Sequence, residues 1–242
     1  MTRASPSAAI PPQPAKRSLA VRALLQAVLL PLVFGTVLFL PAATLRWPLA
    51  WALLAAYITG MLLTNLWLVM RHPGLARERL IIPRSSERWD LRLIQVTNFT
   101  LLGITLPLSG LDHRFTWSPA VPLAVSLIAL LLFAGTFLFM DWAMSVNDFF
   151  SSAVRLQNDR GQAVATGGPY RIVRHPGYLA MIIQFLTIPF VLGSVLSLIP
   201  VIAIVIAYAY RTDREDRLLH GKLPGYADYA NRVRFRLIPG IW

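Results

Sequence analysis

The chain has 242 residues, of which 56% are hydrophobic and only 14% charged. Soluble domains carry about 25% charged residues, so the composition names lipid as the main solvent. The absence of cysteine excludes disulfides, thiolate nucleophiles and Cys-ligated zinc or iron–sulfur sites. The net charge of +12 does not mark a nucleic-acid binder, because the basic residues sit in the loops between apolar runs.

Residues 1–20 read as a disordered tail, with Pro6, Pro11, Pro12 and Pro14 among small residues and Lys16–Arg17 as a basic anchor. The apolar run Val21–Leu40 is about 20 residues, enough for a hydrocarbon core of ~30 Å and longer than the roughly 7–15 residues of a cleavable signal core. Trp47–Val69 is the second span, with Trp47 and Trp51 near one end and Trp67 near the other, as expected of interfacial anchors. A basic loop, RHPGLARERLIIPRSSERWD, runs from Arg71 to Asp90. Leu91–Leu108 makes a third, short span, and Pro119–Trp142 a fourth that is apolar until Asp141. A polar segment, Asn147–Arg174, leads to the apolar run Tyr178–Tyr210, which as one helix would extend roughly 50 Å, too long for a single crossing. Pro189 and the Leu192-Gly193-Ser194 turn divide it into a helical hairpin of two short limbs. A polar tail, Arg211–Trp242, ends the chain.

The expected fold is an all-α integral membrane protein with five to six membrane helices, the last two a short hairpin. The expected units are the tail (1–20), N-terminal membrane helices (21–110) and a C-terminal core (111–242). With six segments, every Lys and Arg except Arg46 and Arg114 falls on one side, so the positive-inside rule puts both termini in the cytoplasm. The same face holds His72, His175, His220 and all acidic residues except Asp112 and Asp141. Any site is expected there. The G-x-G-x-x-G, P-loop, H-E-x-x-H and G-x-S-x-G motifs are all absent.

Three stretches on that face carry chemistry. Gly168–Tyr178 reads GPYRIVRHPGY, whose prolines and glycines suit a shaped cationic loop rather than ordinary helix. Arg211–Asp216 reads RTDRED, and Gly225–Pro239 reads GYADYANRVRFRLIP. In this order, around a hydrophobic hairpin, they resemble the C-terminal half of the isoprenylcysteine carboxyl methyltransferase family. That family comprises integral-membrane enzymes using S-adenosylmethionine, and phospholipid N-methyltransferases belong to the same wider group. RHPGLARERL with Trp89-Asp90, and Asn147 through Val154-Arg155-Leu156-Gln157 to Arg160-Gly161, resemble bacterial members. The resemblance covers roughly Arg71 to Pro239.

The resemblance implies S-adenosylmethionine as cofactor and methyl transfer to a lipophilic or amphiphilic acceptor (a carboxylate, thiol or amine), with membrane lipid as partner and no metal or nucleic acid. A bacterial inner membrane is the implied location. His175 and Pro176 fall at the family's cofactor motif, and Glu215 at its acidic position, with Asp216 as neighbour. Arg171, Arg174 and His175 are candidate donors to the cofactor carboxylate, and Tyr170 or Tyr178 a flat face for its adenine or sulfonium. Anchoring to lipid phosphate competes for the two arginines. Arg211 and Glu215 share a helical face at i, i+4; a solvated helix with Arg211–Glu215 and Asp213–Arg217 pairs is the alternative. Tyr226 and Tyr229 either fold back as a lid or lie amphipathically on the membrane, with Arg234 or Arg236 as the functional arginine beyond them. Asn147, Arg155 and Gln157 are candidates to orient the acceptor, whereas Arg77, Glu78 and Arg79 read as supports for their loop. Arg71-His72-Pro73-Gly74 repeats Arg174-His175-Pro176-Gly177, and both copies read as helix breakers at a membrane edge rather than an inverted repeat.

Two other classes compete. A nicotinamide-dependent membrane reductase of the sterol reductase type shares a similar C-terminal arrangement, but calls for a longer chain and extra basic residues. A non-catalytic transporter calls for polar groups within the spans, which apart from Asn65, Gln95, Asn98 and Gln184 are nearly bare. Asn98 and Gln184 also suit hydrogen bonds between helices.

Overall fold

The structure, a computed structural model, describes residues 16–80 and 85–242. The tail expected over residues 1–20 lies, up to residue 15, outside them. The described residues form helices and connecting turns, with no strand among them: α1 (Lys16–Ala42), α2 (Pro48–Arg71), α3 (Pro73–Leu80), α4 (Arg88–Phe99), α5 (Leu106–Phe115), α6 (Leu123–Ser145), α7 (Pro176–Leu192), α8 (Leu198–Lys222) and α9 (Tyr226–Arg232).

The third span is longer than the apolar run alone suggests. A π-helical segment, Thr100–Thr105, joins α4 to α5, so Arg88–Phe115 runs as one 28-residue rod. Pro107 follows this wide turn and has no N–H to return to it, and within the turn Thr105 Oγ1 donates to the Thr100 carbonyl (2.9 Å).

Among the described residues five segments are long and apolar enough to cross a membrane: Leu19–Ala42, Pro48–Arg71, Arg88–Phe115, Leu123–Ser145 and Val195–Lys222. The last apolar run divides where expected. Gly193 takes a left-handed conformation (φ 69°) and ends α7 after 17 residues. Its partner limb is not short, since α8 runs for 25 residues and carries the RTDRED motif on the same rod. The hairpin tip reaches the bundle end opposite that motif. There Ser194 Oγ donates to the buried Asp112 carboxylate (2.5 Å), and the Leu196 N–H donates to Ser118 Oγ (2.9 Å). The start of α1 lies at the other end, where Leu19 and Ala23 pack with Leu75, Ala76 and Leu80 of α3.

Leu38, Leu53, Leu106, Phe133, Val191 and Val201 form the centre of the bundle. At Gly110 an added Cβ would stand 2.4 Å from the Leu38 carbonyl oxygen, so α1 and α5 meet backbone to backbone. Gln184 Nε2 donates to Thr136 Oγ1 (3.1 Å) and so links α7 to α6. Trp47 is not an interfacial anchor: it is 4% exposed and stacks on His113 at 4.0 Å, which leaves Trp51 as the exposed ring.

Candidate active site

The two RHPG tetrapeptides adopt one local structure. His72 (φ −133°, ψ 61°) and His175 (φ −125°, ψ 61°) each stand just before a helix whose first residue is proline, α3 and α7 respectively. Proline at that position gives up only an N–H that has no helical partner, and its fixed φ suits the first turn. The His175 carbonyl accepts the N–H groups of Tyr178 and Leu179 (3.1 and 3.2 Å). The repeat is therefore a helix-starting signal used twice. What surrounds each histidine differs.

His175 belongs to a network centred on Asp216, which is 3% exposed on α8. That carboxylate accepts from Arg174 Nε (2.8 Å) and Nη2 (3.0 Å), from Tyr226 Oη (2.7 Å) and from Arg236 Nε (2.9 Å). His175 Nε2 lies 3.1 Å from the same oxygen that Tyr226 uses. Arg174 Nη1 also donates to the carbonyls of Val233 and Arg234 (both 2.8 Å). One acidic side chain thus ties the start of α7, α9 and the C-terminal segment to α8. Burial pulls the Arg174 guanidinium down, but the Asp216 hydrogen bonds and charge outweigh it and leave it a firmer cation than usual. Burial, reinforced by Asp216, pushes the Tyr226 phenol up, so it remains a donor at neutral pH.

One residue earlier, the half-buried Glu215 accepts a hydrogen bond from the Tyr178 hydroxyl. The Tyr178 ring stacks on His175 (5.7 Å, 10° between planes) and carries the Arg211 guanidinium 4.9 Å from its centroid. Arg211 is held in turn by Asp90 through Nε (2.6 Å) and Nη2 (2.9 Å), and by the Ser152 carbonyl (3.0 Å). The Arg211–Glu215 pair of the alternative, solvated-helix reading does not form. Asp213–Arg217 does (2.8 Å), on the exposed side of the helix.

The segment after α6 folds over these groups and leaves a cleft. Asn147 Nδ2 donates to Tyr170 Oη (2.7 Å), and the buried Gln157 donates through Nε2 to the Phe149 carbonyl (2.6 Å). Burial raises the Tyr170 phenol above its usual range. Arg155 Nε and Nη2 bind both Glu78 oxygens (3.1 and 3.0 Å), and Nη1 reaches Asp159 (2.9 Å). This clamps the segment to α3, so Glu78 is the loop support expected of it.

Of the residues singled out in the sequence, Asn147, Arg155, Tyr170, Arg174, His175, Tyr178, Glu215, Tyr226 and Tyr229 line this one cleft. Pro176 is buried beneath it as the first residue of α7, Arg211 lies behind Tyr178, and Arg171 is exposed at the surface. Tyr226 and Tyr229 are 3% and 2% exposed, so α9 packs both rings inward against the cleft. Among the described residues no group of three or more His, Asp or Glu could hold a metal ion.

Sequence reasoning missed the aromatic wall, Phe149 and Phe150, and the part played by Asp90. Two adjacent phenylalanines in an otherwise polar connection were the available signal. Phe150 sits where α7 has no side chain: a Cβ on Gly177 would stand 2.4 Å from its ring. Gly177→Ala is expected to displace that ring and destabilise the fold by about 1–3 kcal/mol through overpacking. Thermal unfolding in detergent checks this, and a midpoint unchanged from wild type would show that the ring is not seated on Gly177.

The chain matches no curated protein. The stretch from α6 through α8, with the polar connection between them, contains Glu215, Asp216, His175, Tyr178 and the aromatic wall. Residues 124–222, which span that stretch, match the phospholipid methyltransferase family, integral-membrane methyltransferases related to the isoprenylcysteine carboxyl methyltransferases that the motifs resemble.

Proposed function

We propose that the chain transfers the methyl group of S-adenosylmethionine to a lipophilic or amphiphilic acceptor, with the cleft and both termini on the cytoplasmic side of the membrane. The acceptor atom is a carboxylate, thiol or amine. The observation that carries this reading is the convergence of Glu215, Tyr178 and His175 on one aromatic cleft within the stretch that matches methyltransferases. The lopsided distribution of Lys and Arg supports the orientation. In this reading residues 111–242 are the methyltransferase core and residues 21–110 its N-terminal membrane helices.

The residues suit the cofactor's chemistry. S-adenosylmethionine has a sulfonium, an ammonium, a flat purine and a carboxylate, and when bound it supplies a methyl group that is already strongly electrophilic. Glu215 offers a carboxylate for the ammonium or the ribose hydroxyls. Tyr178, its ring held between His175 and Arg211, positions that carboxylate through its hydroxyl. Arg174 is a poor match for the cofactor carboxylate, because four of its N–H groups already serve Asp216, Val233 and Arg234. Its work is to hold the cleft shut behind His175. Phe149 and Phe150 keep water from the reacting atoms. Alignment and water exclusion are the main demands of such a transfer, and a carboxylate or thiolate acceptor needs no strong base.

The test is titration of purified protein with S-adenosylmethionine by calorimetry, wild type beside His175→Ala and Glu215→Ala. Wild type is expected to bind saturably and each variant about tenfold or more weakly, the loss typical of one charge-assisted contact. No saturable binding by wild type would overturn the methyltransferase reading. Normal binding by both variants would overturn the site assignment, and binding of NADPH in place of S-adenosylmethionine would make the chain a reductase.

A further inference from the structure

A second cavity lies deeper in the bundle, among α1, α2, α3, α6 and α7. At about 230 Å³ it far exceeds the roughly 10–15 Å³ that a single structural water needs. Its walls are largely apolar, with Tyr57, Met61, Met140 and Met181 among them. Two hydrogen-bond donors face it without partners. Asn65 Nδ2 is buried and makes no hydrogen bond. Among the described residues the Arg79 guanidinium has no hydrogen-bond acceptor, and its contact is with the face of Phe150, 5.2 Å from the centroid. The Tyr57 hydroxyl and the Gln26 amide also line it and make no hydrogen bond among the described residues, whereas the remaining polar groups are partnered. Gln184 donates to Thr136 (3.1 Å), and Thr64 donates to Asp141 (2.8 Å), whose carboxylate does not line the cavity and attracts Arg79 only at long range, without an ion pair.

An ionisable group among membrane helices is costly and marks a ligand path when no protein partner neutralises it. Arg79 carries the only formal charge among the described residues that line the cavity, so a ligand that neutralises it must bring acceptor oxygens. A guanidinium fits carboxylate or phosphate oxygens in a bidentate way, and the apolar walls fit a hydrocarbon chain behind them.

The cavity also adjoins the cleft. One face of α7 lines both: Gly177 and Tyr178 in the cleft, then Ala180, Met181 and Gln184 in the cavity. Phe150 stands between them, with its ring against Gly177 on one side and Arg79 on the other. The neighbours Glu78 and Arg79 therefore diverge: Glu78 supports the loop through Arg155, whereas Arg79 turns its charge into the cavity.

We propose that this cavity binds an amphiphile with an anionic oxygen at its head, a carboxylate or a phosphate, with Arg79 and Asn65 as its donors, and that it is the acceptor side of the cleft. The second clause rests on the methyltransferase reading; the first does not. The experiment is a binding titration of purified protein in a neutral maltoside detergent. The probes are fluorescent amphiphiles of one chain length with carboxylate, phosphate monoester, hydroxyl or trimethylammonium heads. Wild type is expected to bind one or both anionic probes at least about tenfold more tightly than the neutral and cationic ones, and the tighter of the two identifies the head group. Arg79→Met is expected to abolish that preference, Arg79→Lys to keep part of it, and Asn65→Leu to weaken anionic binding about threefold or more. Equal binding of all heads, preference for the cation, or wild-type affinity in both Arg79→Met and Asn65→Leu would overturn the proposal. A parallel titration with S-adenosylmethionine separates the two readings. Anionic binding without cofactor binding would overturn the methyltransferase reading alone, and cofactor binding without anionic preference would overturn this proposal alone.

Discussion

Asp216→Ala is expected to open the cleft end of the molecule while leaving the rest of the bundle folded. The carboxylate it removes receives four hydrogen bonds from Arg174, Tyr226 and Arg236 and lies 3.1 Å from His175 Nε2. Its loss leaves the Arg174 side chain, 8% exposed, without the anion that neutralises it. Breaking a buried pair from one side costs about 3–5 kcal/mol, because the remaining charge is uncompensated. Arg236 suffers less, since it is 25% exposed and already reaches Asp213 at 3.4 Å. Everything that α9 and the C-terminal segment gain from α8 through Asp216 goes with it. Hydrogen exchange over residues 223–242 is expected to rise sharply, with helix content by circular dichroism nearly unchanged and S-adenosylmethionine affinity lower by about two orders of magnitude, the equivalent of roughly 2.7 kcal/mol. Asp216→Asn keeps the shape and one acceptor oxygen, and should fall between the two. Wild-type exchange over 223–242 in the alanine variant would mean that this network does not hold the cleft together.

The contrast between what was legible in the sequence and what was not follows the range of the interactions. Membrane segments declare themselves through apolar length and one-sided charge, which are signals along the chain. The hairpin turn was legible for the same reason: Gly193 is the residue that tolerates the left-handed conformation there. Five of the nine named residues that line the cleft come from GPYRIVRHPGY and RTDRED, which sit at the two cleft-side ends of a single hairpin. Partnerships were harder. Spacing suggested Arg211–Glu215, yet Arg211 turns to Asp90, 121 positions away, and Glu215 to Tyr178. An i, i+4 contact on a helix is worth a few tenths of a kcal/mol, too little to hold a guanidinium that packing has buried beside a full carboxylate. Asp213–Arg217 lies toward water, where its rival, Arg236, stands no closer than 3.4 Å, and there the local rule holds. Trp47 fails as an anchor for a related reason: His113, at the far end of the third span, supplies a ring for it to stack on.

The Asp90–Arg211 pair invites the second large effect, and a test of whether it acts as a unit. Asp90 is fully buried in the first turn of α4, and the Arg211 side chain is 7% exposed in α8. Arg211→Met strands the carboxylate and Asp90→Leu strands the guanidinium, so each is expected to destabilise the protein by about 3–5 kcal/mol. The double variant should recover a large part of that loss, because a buried pair replaced by apolar groups of similar volume is often neutral. Recovery will be incomplete. The Val154 N–H, which donates to Asp90 (2.7 Å), and the Ser152 carbonyl, which accepts from Arg211 (3.0 Å), lose their partners in every variant that removes the side chain they bind, at about 1–3 kcal/mol for each buried group left unsatisfied. Those two backbone groups also connect the pair to chemistry. Ala153 to Arg155 form a wall of the cleft, and Arg211 lies against the Tyr178 ring from behind. Arg211→Met is therefore expected to weaken cofactor binding although Arg211 does not line the cleft, whereas Arg171→Met, at the surface, should leave it unchanged. Denaturant unfolding in micelles across the four proteins of the cycle gives the coupling. A value near zero, with the two single losses simply adding in the double variant, would mean that Asp90 and Arg211 are held by their surroundings and not by each other.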